Sequence, residues 1–365
     1  MTHKLLYIAP HRPGRSPGQR FRFEQYTDCL SAAGFSITYS YLLNQWDDRH
    51  FYHHGNYTAK LWIAIKGLII RMFDVIRASR FDYVLVYREA HFFGMAFFER
   101  LIAKRTVMLF DFDDAIWLND TSDSNKNLSW LKNAGKTAAI VRTSALTIVG
   151  NDFLAAPPRQ WSRNVIVIPT TIDTNTYSYR KPKEREPVVV GWIGSLTTLR
   201  HFKQAIPFLT DIKNKYGDKV IYKVIVDVDY REPALGIVST KWNQLTEVEE
   251  LANIDIGIMP LPDDDWSRGK CGFKGIQYMS LGIATVMSPV GVNTSIISHG
   301  QNGMLAQTRQ EWTDCLSQLI ESAPLRRKLG LAGRQTIEER YSVKSQQQHL
   351  VNAFVIAAKN KNKPI

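Results

Sequence analysis

Short runs of Val, Ile, Leu, Tyr and Thr recur along this chain, each followed by a helical pattern. No other feature constrains the fold as much. Lys4–Ala9, Phe35–Leu43, Phe81–Tyr87, Thr106–Phe112, Ala145–Val149 and Asn164–Pro169 form a first series. Val188–Ile193, Tyr222–Asp227, Asp255–Met259 and Thr285–Ser288 form a second. Runs apolar on both faces and separated by helices predict parallel sheets covered on both sides. Between the series, from Thr170 to Pro187, periodicity gives way to Thr, Asn, Tyr, Lys and Pro, the composition of a linker. The chain of 365 residues is about twice the usual domain length, room for two cores. The reading is therefore α/β, with two doubly wound, Rossmann-like domains. Residues 1–172 form the first, 173–187 a linker, 188–340 the second, and 341–365 a helical tail returning toward the first.

Composition narrows the class. Hydrophobic residues at 44% and charged residues at 22% exclude a disordered, collagenous or disulfide-scaffold chain. Cys29, Cys271 and Cys315 lack paired spacing, which argues against a zinc ribbon and for a reducing compartment. Met1–Pro10 holds one short apolar run and then Pro–Gly punctuation, unlike a signal peptide, so a cytoplasmic protein is expected. The net charge of +12 calls for an anionic partner or a solubility role, and over half of the excess falls in the first ~110 residues. Within them, Lys60–Arg80 carries Leu61, Ile65, Leu68, Ile69, Met72, Val75 and Ile76 on one helical face, with Lys60, Lys66, Arg71, Asp74 and Arg77 opposite. Charges interrupt it too often for a membrane span. A basic amphipathic helix can lie on anionic lipid, with Trp62 at the boundary; packing of the apolar face on a sheet explains the stripe equally well. No nucleic-acid-binding signature accompanies the basicity.

Three places carry candidate chemistry. Gly191–Ser195 closes a strand and opens a helix, so the backbone N–H groups of Gly194 and Ser195 suit a phosphate, with Arg200 about a turn further on; an ordinary strand-to-helix turn is the bland alternative. Gly269-Lys270-Cys271-Gly272-Phe273-Lys274 leads into a helix that carries the polar Gln277 among apolar neighbours. Glycines, two lysines and a helix start can satisfy a diphosphate. Asp111-Phe112-Asp113-Asp114 ends a buried strand, where open α/β sheets place ligand contacts. Carboxylates there imply a substrate hydroxyl, a basic side chain or a cation, with helix capping as the alternative. Asp263–Asp265 is a second acidic cluster, in a Pro-flanked loop that points to solvent exposure.

In order and spacing, Asp111–Ala115, Gly150–Leu154, Gly191–Ser195, Asp255–Leu261 and Gly269–Met279 resemble the bacterial family-four, GT-B-fold retaining glycosyltransferases. The resemblance implies two Rossmann-like domains facing a cleft, with the nucleotide sugar on the second and the acceptor mostly on the first. Ser195 stands where the family usually has Arg, and Arg200 matches the family Lys. Gly269 and Gln277 stand at the family's two glutamates. A branch of the family carries Gly-Lys-Cys-x-Phe-Lys, as here.

The expected activity is transfer of a sugar from a nucleotide-diphosphate donor to a glycan or lipid-linked acceptor in cell-surface polysaccharide synthesis, with retention at the anomeric carbon. Arg200, Lys270 and Lys274 are expected to stabilise the leaving diphosphate, Gly194, Ser195, Gly272 and Phe273 to cradle it, and Gln277 to hold the ribose. Asp113 and Asp114 are expected to position the acceptor, with Gly18, Arg20 and Arg22 on the same side. Neither a cofactor nor a metal is expected, nor a nucleic-acid partner; the inner face of the cytoplasmic membrane is a candidate location. The rivals are a metal-dependent transferase using Asp111 and Asp113, a sugar-nucleotide epimerase, and a degenerate scaffold that binds lipid or a partner.

Overall fold

The computed structural model describes residues 2–52, 55–92, 95–118, 135–181 and 185–361. It divides into two compact units, residues 1–170 with 346–365, and residues 171–345. In the first unit β1 (His3–His11), β2 (Phe35–Leu43), β3 (Tyr83–Tyr87), β4 (Val107–Phe112), β5 (Leu146–Val149) and β6 (Val165–Val167) form a six-stranded sheet in the order β2-β1-β3-β4-β5-β6. Every pairing in it is parallel. β3 is buried along its whole length, as expected of a strand covered on both faces. The Val343–Lys361 helix completes this unit, setting Phe354 against Phe35 and Tyr83 with ring centroids 4.8 and 5.3 Å apart.

The second unit repeats the plan. Its strands are β7 (Val188–Ile193), β8 (Val220–Val226), a short antiparallel ribbon of β9 (Arg231–Glu232) and β10 (Ile237–Val238), then β11 (Thr240–Lys241), β12 (Ile256–Met259), β13 (Ala284–Met287) and β14 (Met304–Leu305). The main sheet runs β11-β8-β7-β12-β13-β14, all parallel. The stretch 173–187, read from composition as a linker, belongs to this unit. Ile172 bridges to Ser342, and Arg185 pairs with Asp255 at 3.0 Å. Its polar residues are thus tied down by specific partners, which composition alone does not reveal.

The Tyr57–Arg77 helix is turned the opposite way from an ordinary sheet-covering helix. Its charged face is packed: Arg71 is fully buried, and donates to Asp74 Oδ2 (2.7 Å), Ser40 Oγ (2.8 Å) and the Ala9 carbonyl (2.9 Å). Asp74 is equally buried and also accepts from Arg77 (2.7 Å) and Ser40 (2.6 Å). Ile63 and Val75 are the apolar residues that face inward. Leu61, Trp62, Phe73 and Ile76 are each more than half exposed, and Ile65, Leu68, Ile69 and Met72 only slightly less. The apolar stripe read from the sequence is real, and most of it faces solvent.

Candidate functional site

Ligands of open α/β sheets bind beyond the carboxyl ends of the strands where strand order reverses. In the second unit that point lies between β7 and β12, in the first between β1 and β3. In the second unit the candidates follow β7 or lie between β12 and β13; in the first, Gly18, Arg20 and Arg22 follow β1, and Asp113 and Asp114 follow β4, the neighbour of β3.

At the end of β7, a Cβ on Gly194 would sit 2.1 Å from Cη2 of Trp192, so only glycine lets the chain pass that buried ring. Gly194 donates its N–H to the Ile225 carbonyl (2.9 Å), Ser195 to Thr198 Oγ1 (2.9 Å) and Leu196 to Asp227 Oδ1 (2.7 Å). The N–H groups of Gly194 and Ser195, expected to face a phosphate, hold the turn together with that of Leu196. Gly272 has φ +67° and starts the Phe273–Ser280 helix, where a Cβ would meet Ile296 at 2.3 Å. From this helix Lys274 places Nζ 5.6 Å from the centre of the Trp192 ring, and Lys270, just before it, sits 4.7 Å from that of Trp266. One indole thus adjoins both Gly194 and Lys274, bringing the two motifs together.

His201, which sequence reasoning passed over, shows where the cations meet. Its ring is 4% exposed, and neither nitrogen has a hydrogen-bond partner. Burial, then the positive fields of Lys274, Arg200 and Lys270, push its pKa down to about 4 against a weaker pull from Asp264. Arg200, Lys270 and Lys274 thus all lie near enough for their charges to act on this one ring. Asp264 itself caps the Asp265–Arg268 helix, accepting from Ser267 N (2.7 Å), while Asp263 pairs with Arg268 (2.8 Å). That acidic loop is occupied by local contacts.

Gln277 is buried and donates from Nε2 to Glu247 Oε1 (2.7 Å). Glu247 also accepts from Trp242 Nε1 (2.7 Å) and from the Tyr177 hydroxyl. The amide nitrogen of Gln277 is therefore held by Glu247. Glu247 gave no sequence signal, because two of these partners, Gln277 and Tyr177, lie 30 and 70 residues away.

In the first unit the three aspartates are each matched by a guanidinium. Arg22, buried, donates through Nε to Asp111 Oδ2 (3.2 Å), through Nη2 to Oδ1, and through Nη1 to the Ile168 carbonyl (2.6 Å). Burial raises the Asp111 carboxyl above its usual range despite this pair. Arg22 thereby anchors the Pro17–Arg22 helix to the sheet rather than offering an open charge. Arg88 follows β3 at φ +62°, a conformation uncommon outside glycine. It bridges Asp113 Oδ1 (3.0 Å) and Asp114, and Asp113 also accepts from the Tyr87 hydroxyl (2.7 Å). Burial opposes the Arg88 charge, but Tyr87 and the two carboxylates outweigh it and hold its pKa above the ordinary value. A Cβ on Gly18 would lie 2.0 Å from the Tyr87 hydroxyl oxygen and 3.0 Å from Asp113 Oδ2, so Gly18 closes directly on this group. Arg20 lies over Phe21, 4.8 Å from the ring centre. Among the described residues no group of three His, Cys, Asp or Glu is arranged to hold a metal ion.

No family model matches the chain, and no curated protein matches its sequence. Solved structures do. A sucrose-phosphate synthase from Thermosynechococcus elongatus superposes with a TM-score of 0.66 at 12% identity, covering 97% of this chain and 98% of that one. A glycosyltransferase from Rickettsia africae gives 0.69 at 12%, covering 98% and 99%. Anabaena HepE in complex with UDP and glucose gives 0.64 at 13%, covering 97% and 100%. With its two parallel six-stranded sheets, the chain has the GT-B fold of two Rossmann-like domains.

Proposed function

We propose that the chain is a glycosyltransferase that takes a sugar from a nucleotide-diphosphate donor. The observation that carries this reading is that Lys274 lies over Trp192 beside Gly194 at the end of β7, with Lys270 and Arg200 near enough to act on the same buried His201. A diphosphate gains charge as it leaves the sugar, and cations fixed in advance favour that transition state over the bound donor. Gln277, clamped by Glu247, presents Oε1 to a ribose hydroxyl. Likeness to HepE, solved with UDP-glucose, and to a sucrose-phosphate synthase supports a nucleotide-sugar donor. In the first unit Asp113 and Asp114, held by Arg88 and Tyr87, position the acceptor hydroxyl. Transfer proceeds with retention to a glycan or lipid-linked acceptor, in cell-surface polysaccharide synthesis, without a metal.

The acceptor side also carries the reason for placing the enzyme on the cytoplasmic face of a membrane. Residues 1–170 and 346–365 hold 24 Lys and Arg against 14 Asp and Glu, so this unit carries most of the +12. On it the Tyr57–Arg77 helix exposes Trp62, Phe73 and a row of aliphatic residues, joined by Phe97 from the Phe97–Arg105 helix packed beside it. Exposed apolar and aromatic side chains on a cationic unit fit an anionic bilayer surface. No helix among the described residues is long and apolar enough to cross a membrane.

The test is to incubate the protein and radiolabelled nucleotide sugars with a lipid extract of bacterial envelope, with and without chelator. The reading expects label in the lipid or glycan fraction, chelator-resistant and with the donor's anomeric configuration. Conversion of the donor without any acceptor would replace it with an epimerase.

A further inference from the structure

A buried imidazole with both nitrogens unpartnered is a costly arrangement, since each lost hydrogen bond is a desolvation penalty with no return. The ring of His201 is held that way in the second unit. The charged groups acting on it are Arg200 on its own helix, Lys274 on the Phe273–Ser280 helix, Lys270 before that helix, and Asp264. Phe202, next in sequence, stacks obliquely on Trp192 with ring centres 5.3 Å apart, and Trp192 in turn carries Lys274 and borders Gly194. The imidazole thus lies within the fields of these cations, one residue along the chain from the ring that packs on Trp192.

Burial, and after it the three positive charges, keep the proton off the ring. A diphosphate placed among those charges offsets most of their field at the ring and supplies the acceptor that it lacks. Resting on the donor-site reading above, we propose that His201 is a further contact to the diphosphate of the donor, and that it takes up a proton from solvent as the donor binds. The ring enters as a neutral base and ends as an imidazolium donating to a phosphate oxygen. Donor binding is then linked to pH: a group more basic in the complex than in the free protein makes binding tighter as pH falls toward the free value. The proton also adds a fourth positive charge beside the leaving diphosphate, present only when the site is filled.

The experiment is calorimetric titration with UDP-glucose, and with GDP-mannose if the first does not bind, at about pH 6, where free histidine titrates but the fully ionised diphosphate of a nucleotide sugar does not. Each titration is run in two buffers of different ionisation enthalpy, for wild type, His201→Gln and His201→Asn. The wild type is expected to take up a substantial fraction of one proton per ligand bound. Both variants should take up almost none and bind on the order of tenfold more weakly. Wild-type binding without proton uptake overturns the proposal whatever the variants do, as does equal uptake in wild type and variants. Failure of the wild type to bind any nucleotide sugar removes the donor-site reading itself, and the proposal with it.

Discussion

Arg71 and Asp74 sit fully buried beneath the Tyr57–Arg77 helix, and their value lies in mutual satisfaction. Removing one partner strands the other, which costs about 3–5 kcal/mol, whereas replacing both with apolar residues of similar size costs far less. Denaturant unfolding should therefore show Asp74→Ala strongly destabilised and Arg71→Met with Asp74→Leu much nearer wild type; two equal losses would mean that the pair is not coupled. His201 works in the other direction. Its folded pKa of about 4 lies below that of the unfolded chain, so below about pH 6.5 the unfolded state binds a proton that the folded state refuses. Stability is lost as pH falls from about 6.5 to about 4, by an amount on the order of 3 kcal/mol. Melting curves across that window should be flatter for His201→Gln than for wild type, and parallel curves would place the ring in an ordinary environment.

Elements differ in how plainly the sequence announces them. The long β-rich runs were legible because a strand buried on both faces needs uninterrupted apolar residues, as in Leu5–Ala9 and Tyr83–Tyr87. The ribbon of β9 and β10, together with β11 and β14, was not, since two-residue strands have no periodicity to read. The Tyr57–Arg77 stripe was legible as a stripe, but periodicity cannot say which face turns inward. That choice is made by Asp74, Ser40 and the Ala9 carbonyl, which lie at distant points of the chain or form an i,i+3 pair that looks like any surface pair. If the exposed face meets lipid, Leu61→Glu with Phe73→Glu should abolish salt-sensitive sedimentation with phosphatidylglycerol vesicles while leaving the melting temperature near wild type. A large fall in melting temperature would instead mean that the face is packed. Two glycines test the loops. Gly194→Ala forces Trp192 away and should weaken donor binding, while Gly18→Ala presses on Tyr87 and Asp113 and should lower transfer with donor affinity unchanged. Isothermal titration beside initial rates separates them.

At the scale of the whole molecule, charge is partitioned unevenly. Most of the net positive charge belongs to the first unit, whereas the second is nearly balanced, with 22 Lys and Arg against 20 Asp and Glu. The donor motifs were visible in the sequence as Gly191–Ser195 and Gly269–Gln277, but their meeting around Trp192 and His201 was not, because it depends on the parallel pairing of β7 with β12. The acidic cluster was visible as Asp111–Asp114, while its partners Arg22, Tyr87 and Arg88 come from other strands and loops. The central claim is that Arg200, Lys270 and Lys274 together hold a diphosphate, and one set of calorimetric titrations with uridine and UDP tests it. Alanine at any of the three should weaken UDP binding by about 1.5–3 kcal/mol and leave uridine binding near wild type. Lysine variants that bind UDP as tightly as wild type would contradict the account and move the donor site elsewhere.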